Sequence, residues 1–318
     1  MSKTVLFFPG QASQYVGMGK ELYEVSEKVR NLYALASEEI GIDIAKLSFE
    51  GPSEKLKETR YTQPAILLHT LALLTILNDR LPAFHYACGH SLGEYAALVV
   101  TKALTVEDAI KAVVKRASLM EEACRKNPGT MAAILGLEVQ QVENICRQAS
   151  SKGIVLPANI NSNIQIAISG AIISVKEAVV LAREAKAKRA VMLEVGGAFH
   201  SPLMEPAKTG LEKYLDELKI SDPIIPVIAN VTAKSVMRGD EIRKMLVKQV
   251  TAPVMWSQTM KFLVENDVTT VIEIGPGKVL AGLAKRDMKP EKIINLDTFE
   301  DIKEFKTNNL VRQENELY

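Results

Sequence analysis

The chain has 318 residues, 47% of them hydrophobic and 24% charged, with a formal net charge of +1. That composition suits a globular protein with a sizeable core and gives no electrostatic reason to bind nucleic acid or a membrane surface. Aromatic residues, at 5%, are too few for base-stacking platforms, and the three cysteines (Cys88, Cys124, Cys146) are isolated, so neither a disulfide framework nor a metal site is expected.

The first element is a buried strand, Val5-Leu6-Phe7-Phe8, stopped by Pro9-Gly10. The chain runs straight into it without a long apolar signal core, and no apolar run approaches the roughly 18 residues of a membrane span. A cytoplasmic location is therefore expected. A loop follows, then a helix from about Lys20; Gly17-Met18-Gly19 lacks the Lys-Ser/Thr of a phosphate-binding loop. Ile66 to Asn78, after Gln63-Pro64, is a helix apolar enough to be buried on most sides.

Phe84 to Cys88 reads as a short strand and Glu94 to Val100 as a helix, with Gly89-His90-Ser91-Leu92-Gly93 between them. A Gly-x-Ser-x-Gly sequence on a tight strand-to-helix turn is a nucleophile elbow. The helix start aims N–H groups at charge that develops beside Ser91 Oγ. The next helix begins near Thr105, capped with Asp108, and carries Arg116 and Met120.

The middle of the chain changes character. Strand signals at 129–135, 155–158, 165–169 and 190–195 alternate with helical stretches at 138–149 and 174–187. The order βαββαβ is a ferredoxin-like split motif. Beyond it come the turn Gly196-Gly197-Ala198-Phe199-His200-Ser201-Pro202 and strands at 226–230 and 270–274. The last strand ends in Gly275-Pro276-Gly277, whose spacing to Gly282 is wrong for a dinucleotide loop. The expected fold is α/β: a hydrolase-like, mostly parallel sheet core from residues 1–127 and 197–300, an inserted ferredoxin-like subdomain at 128–196, and a polar tail at 304–318.

A serine hydroxyl needs a base. Of the four histidines, His69 lies inside the apolar helix, His85 in the strand before the elbow, and His90 beside the serine, where it shapes the pocket. His200, on a Gly-rich turn leaving the insert, is the best base. An ordinary elbow hydrolase places an acid between serine and histidine. No acid there sits on an obvious strand-end turn, so the third member is expected to be a backbone carbonyl or an amide.

Five blocks occur in order: Phe8-Pro9-Gly10-Gln11, Gly89 to Glu94, Arg116, Gly197 to Ser201, and Glu273 to Gly277. Together, over roughly residues 1–290, they resemble malonyl-CoA:acyl carrier protein transacylases and the acyltransferase domains of polyketide synthases. The resemblance implies that Ser91 carries the acyl group and His200 is its base, steadied by a backbone carbonyl at Gln249. It implies an oxyanion hole from the N–H groups of Gln11 and Leu92, each typically worth about 2.7–4 kcal/mol in the transition state. It implies that Arg116 clamps the malonyl carboxylate, with two parallel hydrogen bonds that lysine does not reproduce. Phe199 fits the malonyl-type pattern, Met120 a pocket wall, and Asn159, Asn161 and Asn230 the cleft lining. One departure is Asn163-Ile164-Gln165, where the family commonly has Pro-Gly-Gln.

The implied partners are malonyl-CoA and an acyl carrier protein, with no resident cofactor. An acidic carrier would favour a basic patch such as Lys186, Lys188 and Arg189, although a charge run of this kind is usually just a solvated helix end. Two other readings compete with malonyl transfer: an acyl hydrolase acting on carrier-bound chains, and an inactive partner-binding subunit. A pocket for neutral acyl chains has no use for Arg116, and the Ser91/His200 pair argues for activity.

Overall fold

Val5, Leu6, Phe7 and Phe8 are all fully buried, and four buried residues in succession need cover on both faces of a central strand. They belong to β1 (Lys3–Phe8). The computed structural model describes residues 2–305. After β1 come α1 (Lys20–Val25), α2 (Glu27–Ile40), α3 (Ile44–Glu50), α4 (Ser53–Leu56) and the long α5 (Thr59–Leu77). The sequence expectation began α5 at Ile66, after the proline. Pro64 instead lies in the second turn, where it removes one hydrogen bond, to the Arg60 carbonyl, and burial of the apolar helix outweighs that loss. Next are β2 (Tyr86–Gly89), α6 (Gly93–Val100) and α7 (Val106–Lys126), the last capped by the Thr105 side chain accepting from the Asp108 N–H.

The insert follows as β3 (Thr130–Leu135), α8 (Val139–Ala149), β4 (Val155–Ser162), β5 (Gln165–Gly170), α9 (Ile172–Glu184) and β6 (Arg189–Met192). Its four strands form an antiparallel sheet in the order β4-β5-β3-β6, covered by a core of its own that includes Ile134, Val142, Ile166, Ile168 and Val175. Lys186 and Lys188 between α9 and β6, and Arg189 at the start of β6, are exposed.

The chain then returns through α10 (Glu205–Glu217), β7 (Val227–Ile228), β8 (Ser235–Val236), α11 (Gly239–Gln249), α12 (Trp256–Glu265), β9 (Val268–Ile274), α13 (Val279–Asp287) and β10 (Lys292–Leu296). The larger sheet runs β10-β9-β1-β2-β7-β8, parallel throughout except for the short edge strand β8. The fold is thus a mostly parallel α/β core carrying a ferredoxin-like antiparallel insert. Strand β7 stops at Ile228, short of the expected Asn230, because Ala229 and Asn230 enter a turn. Residues 304 and 305, assigned to the polar tail, continue a helical stretch from 299 in which Ile302 and Phe305 are buried; the rest of that tail, 306–318, lies outside the described residues.

Register positions the site. Phe8 pairs with Gly89, so the Pro9-Gly10-Gln11 loop and the Ser91 turn leave adjacent parallel strands side by side. Asn230 follows β7 and Gly275 follows β9 at the same carboxyl edge, where open α/β sheets place their ligands.

Candidate active site

Ser91 has φ 51°, a left-handed conformation that serine adopts only when its surroundings impose it. Both motif glycines are required by close approach. A Cβ on Gly89 would stand 2.0 Å from the Gly93 carbonyl carbon, and one on Gly93 would stand 2.1 Å from the Phe8 carbonyl oxygen. Asn230 holds the elbow from beneath: its Oδ1 accepts from the Ser91 N–H at 2.6 Å and its Nδ2 donates to the Gly89 carbonyl at 2.7 Å. This corrects the expectation that Asn230 lines the cleft. It is buried behind the wall, with both ends of its amide engaged by the elbow.

His200, also in the left-handed region at φ 57°, places Nε2 2.8 Å from Ser91 Oγ and Nδ1 2.8 Å from the Gln249 carbonyl. A carbonyl only accepts, so Nδ1 carries the proton and Nε2 is the acceptor for the serine hydroxyl. Burial, and after it the Arg116 charge, pushes the His200 pKa down to about 3, although the Gln249 carbonyl pulls the other way. The imidazole is therefore neutral near pH 7, with Nε2 unprotonated and facing the serine hydroxyl. The third member of the array is a backbone carbonyl, and the pair needs no acid in the chain between Ser91 and His200.

Arg116, on α7, is 1% exposed, far from the solvated state of most helix arginines. Its Nη1 donates to Gln63 Oε1 at 2.5 Å, and its Nη2 donates to Ser91 Oγ and to Gln249 Oε1, each at 3.0 Å. Its Nε has no hydrogen-bond partner among the described residues. Gln63 donates in turn to Met120 Sδ at 3.5 Å. Gln249 is the hub: besides its two acceptor roles, its Nε2 donates to the Ser91 carbonyl at 3.0 Å and to Glu94 Oε2 at 2.5 Å. Burial pushes the Glu94 pKa up to about 7, against the hydrogen bonds from Gln249 and the Asn230 backbone and the charge of Arg116.

These groups open onto a cavity of about 310 Å³ between the two sheets. Gln11, His90, Leu92, Met120, Asn159, Asn161 and Phe199 line it with Ser91, Arg116 and His200; Gln249, like Asn230, sits behind the wall. The His90 ring turns away from the nucleophile and its Nε2 meets Asn161 Oδ1 at 2.8 Å; burial lowers its pKa. The unusual Asn163-Ile164-Gln165 turn still leaves Asn159 and Asn161 on the cavity wall, and Gln165 joins them. The Ser91 N–H is held by Asn230, while Gln11 and Leu92 stand on the cavity wall beside the serine.

The other two histidines are structural. His69 Nε2 meets Asp297 Oδ1 at 2.9 Å, and His85 Nδ1 accepts from the Thr4 N–H at 3.2 Å. Sequence reasoning missed Gln63, Glu94 and Glu273. Gln63 was read as a helix boundary, and its signal is an amide next to a strongly apolar helix. Glu94 and Glu273 fall inside recognised blocks but received no role. Among the described residues, no group of three or more His, Cys, Asp or Glu is placed to hold a metal ion, and no helix is long and apolar enough to cross a membrane.

Comparison with known proteins finds a match to the acyl transferase domain family over residues 5–311. A malonyl CoA-acyl carrier protein transacylase of Bacillus subtilis is 42% identical over 303 residues, 95% of this chain and 96% of the relative. One from Staphylococcus aureus (strain MRSA252) is 40% identical over 97% of this chain and all of its own length. Among solved structures, an acyl carrier protein S-malonyltransferase from Vibrio cholerae superposes with a TM-score of 0.89 at 39% identity, covering 95% of this chain and 99% of that one. A malonyl-transacylase solved in complex with its type II PKS acyl-carrier protein gives a TM-score of 0.91 at 35% identity, covering 96% and 100%.

Proposed function

The chain belongs to the acyl transferase domain family, and from that membership we propose that it moves a malonyl group from malonyl-CoA to the phosphopantetheine thiol of an acyl carrier protein. It is an S-malonyltransferase of fatty acid or polyketide synthesis. Ser91 gives its proton to His200 Nε2 as Oγ attacks the thioester carbonyl. The Gln11 and Leu92 N–H groups receive the oxyanion. Collapse expels the CoA thiolate, which takes the proton from His200. The carrier thiol then gives its proton to the same imidazole, attacks the serine ester, and leaves as malonyl carrier while Ser91 recovers its proton.

Arg116 is the observation that carries the malonyl assignment: a buried guanidinium whose Nη2 lies 3.0 Å from Ser91 Oγ. A carboxylate-ended acyl group suits such a charge, whose direct hydrogen-bond partners Gln63, Gln249 and Ser91 are all neutral. Once Ser91 is acylated, its Oγ becomes a weakly accepting ester oxygen, which frees Nη2 for the acyl carboxylate. Asn159, Asn161, Phe199, Met120 and His90 shape the space around that group. His200 moves the protons and the substrates bring their own thiols, so the reading calls for no resident cofactor, and it places the enzyme in the cytoplasm with its carrier.

The test is mass spectrometry of the protein mixed with malonyl-CoA and no carrier protein. A malonyl ester on Ser91, absent from Ser91→Ala, is expected. Free malonate released with no such ester would overturn transfer in favour of hydrolysis.

A further inference from the structure

One buried carboxylate faces the site from behind the cavity wall. Glu94, in the first turn of α6, is 3% exposed, and its Oε2 accepts from Gln249 Nε2 at 2.5 Å. The same amide, through Oε1, accepts from Arg116 Nη2 at 3.0 Å. Glu94 and Arg116 are therefore joined by a single side-chain amide, and that line ends at Ser91 Oγ. The groups facing Glu94 are Arg116 from α7, the Cys88 thiol from β2, Tyr95 beside it on α6, the Gln249 amide from α11, and the Asn230 backbone after β7. Burial pushes the Cys88 thiol well up and Tyr95 up to about 12, so both stay protonated. His200, which faces Arg116, stays neutral. Arg116 is the one cation in this set.

We propose that Glu94 is a specificity-tuning positioning residue: acting through Gln249, it competes with the free carboxylate of the substrate for the charge of Arg116. Its ionisation then weakens uptake of an acyl group that ends in a carboxylate and leaves a neutral acyl group unaffected. This rests on the malonyl reading of the site.

The physical ground is charge balance in a dry pocket. One guanidinium and one carboxylate neutralise each other, whereas a second carboxylate brings a net negative charge into a medium that solvates it poorly. If Glu94 holds a proton, Arg116 and the malonyl carboxylate are the balanced pair. If Glu94 is ionised, Arg116 is already matched before substrate arrives. Burial brings the change between these states to about pH 7. Below that pH Glu94 is neutral and malonyl uptake is favoured; above it Glu94 is charged and malonyl uptake falls. Gln249 fixes the geometry, because its Nε2 faces Glu94 and its Oε1 faces Arg116, and an amide reversed between them would set donor against donor.

The experiment is single-turnover loading of Ser91 from malonyl-CoA and from acetyl-CoA between about pH 5.5 and 9, read as the ratio of the two second-order constants. The ratio cancels ionisations shared by both substrates, including those of CoA and His200. In the wild type it should fall about tenfold as pH rises through 7, the scale of one like charge several ångströms away at an effective dielectric near 20. In Glu94→Gln, which keeps the shape and removes the charge, the ratio should be flat at the low-pH level. A flat ratio in the wild type, which needs no variant to fold, overturns the proposal, as does an unchanged slope in Glu94→Gln. A wild type that forms no malonyl ester at any pH would instead overturn the reading of function on which the proposal stands.

Discussion

At the scale of single residues, the malonyl proposal turns on Arg116, a buried guanidinium beside the serine. Its guanidinium donates to Gln63, Gln249 and Ser91 from two nitrogens, and a lysine supplies one point charge without that fork. Arg116→Ala is expected to lower malonyl loading about 10–100-fold more than acetyl loading, the scale of one charged hydrogen-bonded contact. Rates of Ser91 acylation from the two thioesters give that ratio, and equal losses would remove the clamp role. Arg116→Lys should recover little. The histidine was legible from sequence because few histidines compete and one sits on a Gly-rich turn. The carbonyl partner was legible only as a missing acid, and its residue came from the family resemblance. Gln63 and Glu94 were not legible: each acts on another side chain from a separate element, and no local pattern marks a residue that bonds 53 or 155 positions away. Asn230 shows the same blindness, because a strand-end asparagine looks alike whether it faces the cleft or props the turn.

Among the elements, α13 depends on a residue outside itself. Val279, Leu280 and Leu283 bring it to the cavity wall, and its Lys278 cap position gives no side-chain cap. Instead Glu273, fully buried on β9, accepts from the N–H groups of Leu280 at 3.1 Å and Ala281 at 2.6 Å. A carboxylate at a helix start is favourable. Burial nevertheless dominates and pushes its pKa up to about 7, against those two bonds, with Asp297 adding to the rise. Between the ordinary value of 4.5 and about 7 the folded state holds a proton that the unfolded chain releases. The stabilisation linked to that proton is complete below pH 4.5 and lost as pH rises through 7. Glu273→Gln cannot titrate, so the difference in unfolding free energy between pH 5 and pH 8 should shrink by about 2 kcal/mol. Denaturant unfolding at the two pH values measures it, and an unchanged difference would remove Glu273 from the pH response. Periodicity located the long helices and central strands, but β8, with two residues, and β10, at the sheet edge, carry too little pattern to be read.

The whole molecule makes one cleft serve two substrates. Ser91 and Arg116 come from the parallel core, Asn159 and Asn161 from the antiparallel sheet, and His200 from the chain that returns between them. The two parts are tied by backbone bonds: the Ile160 N–H donates to the Val254 carbonyl and the Val254 N–H to the Ala158 carbonyl, each at 2.9 Å. That tie fixes β4 against the core and sets the width of the gap. At about 310 Å³ the cavity lies at the low end of ligand pockets, which run about 300–1,000 Å³. It has room for one acyl thioester arm against the one serine. CoA and the carrier arm must therefore occupy it in turn, and the malonyl group must wait on Ser91 between them. Initial rates plotted against malonyl-CoA at several carrier concentrations should give parallel lines. Labelled CoA should exchange into malonyl-CoA with no carrier present, and Ser91→Ala should abolish that exchange. Converging lines, or exchange that needs the carrier, would mean that both thiols bind together.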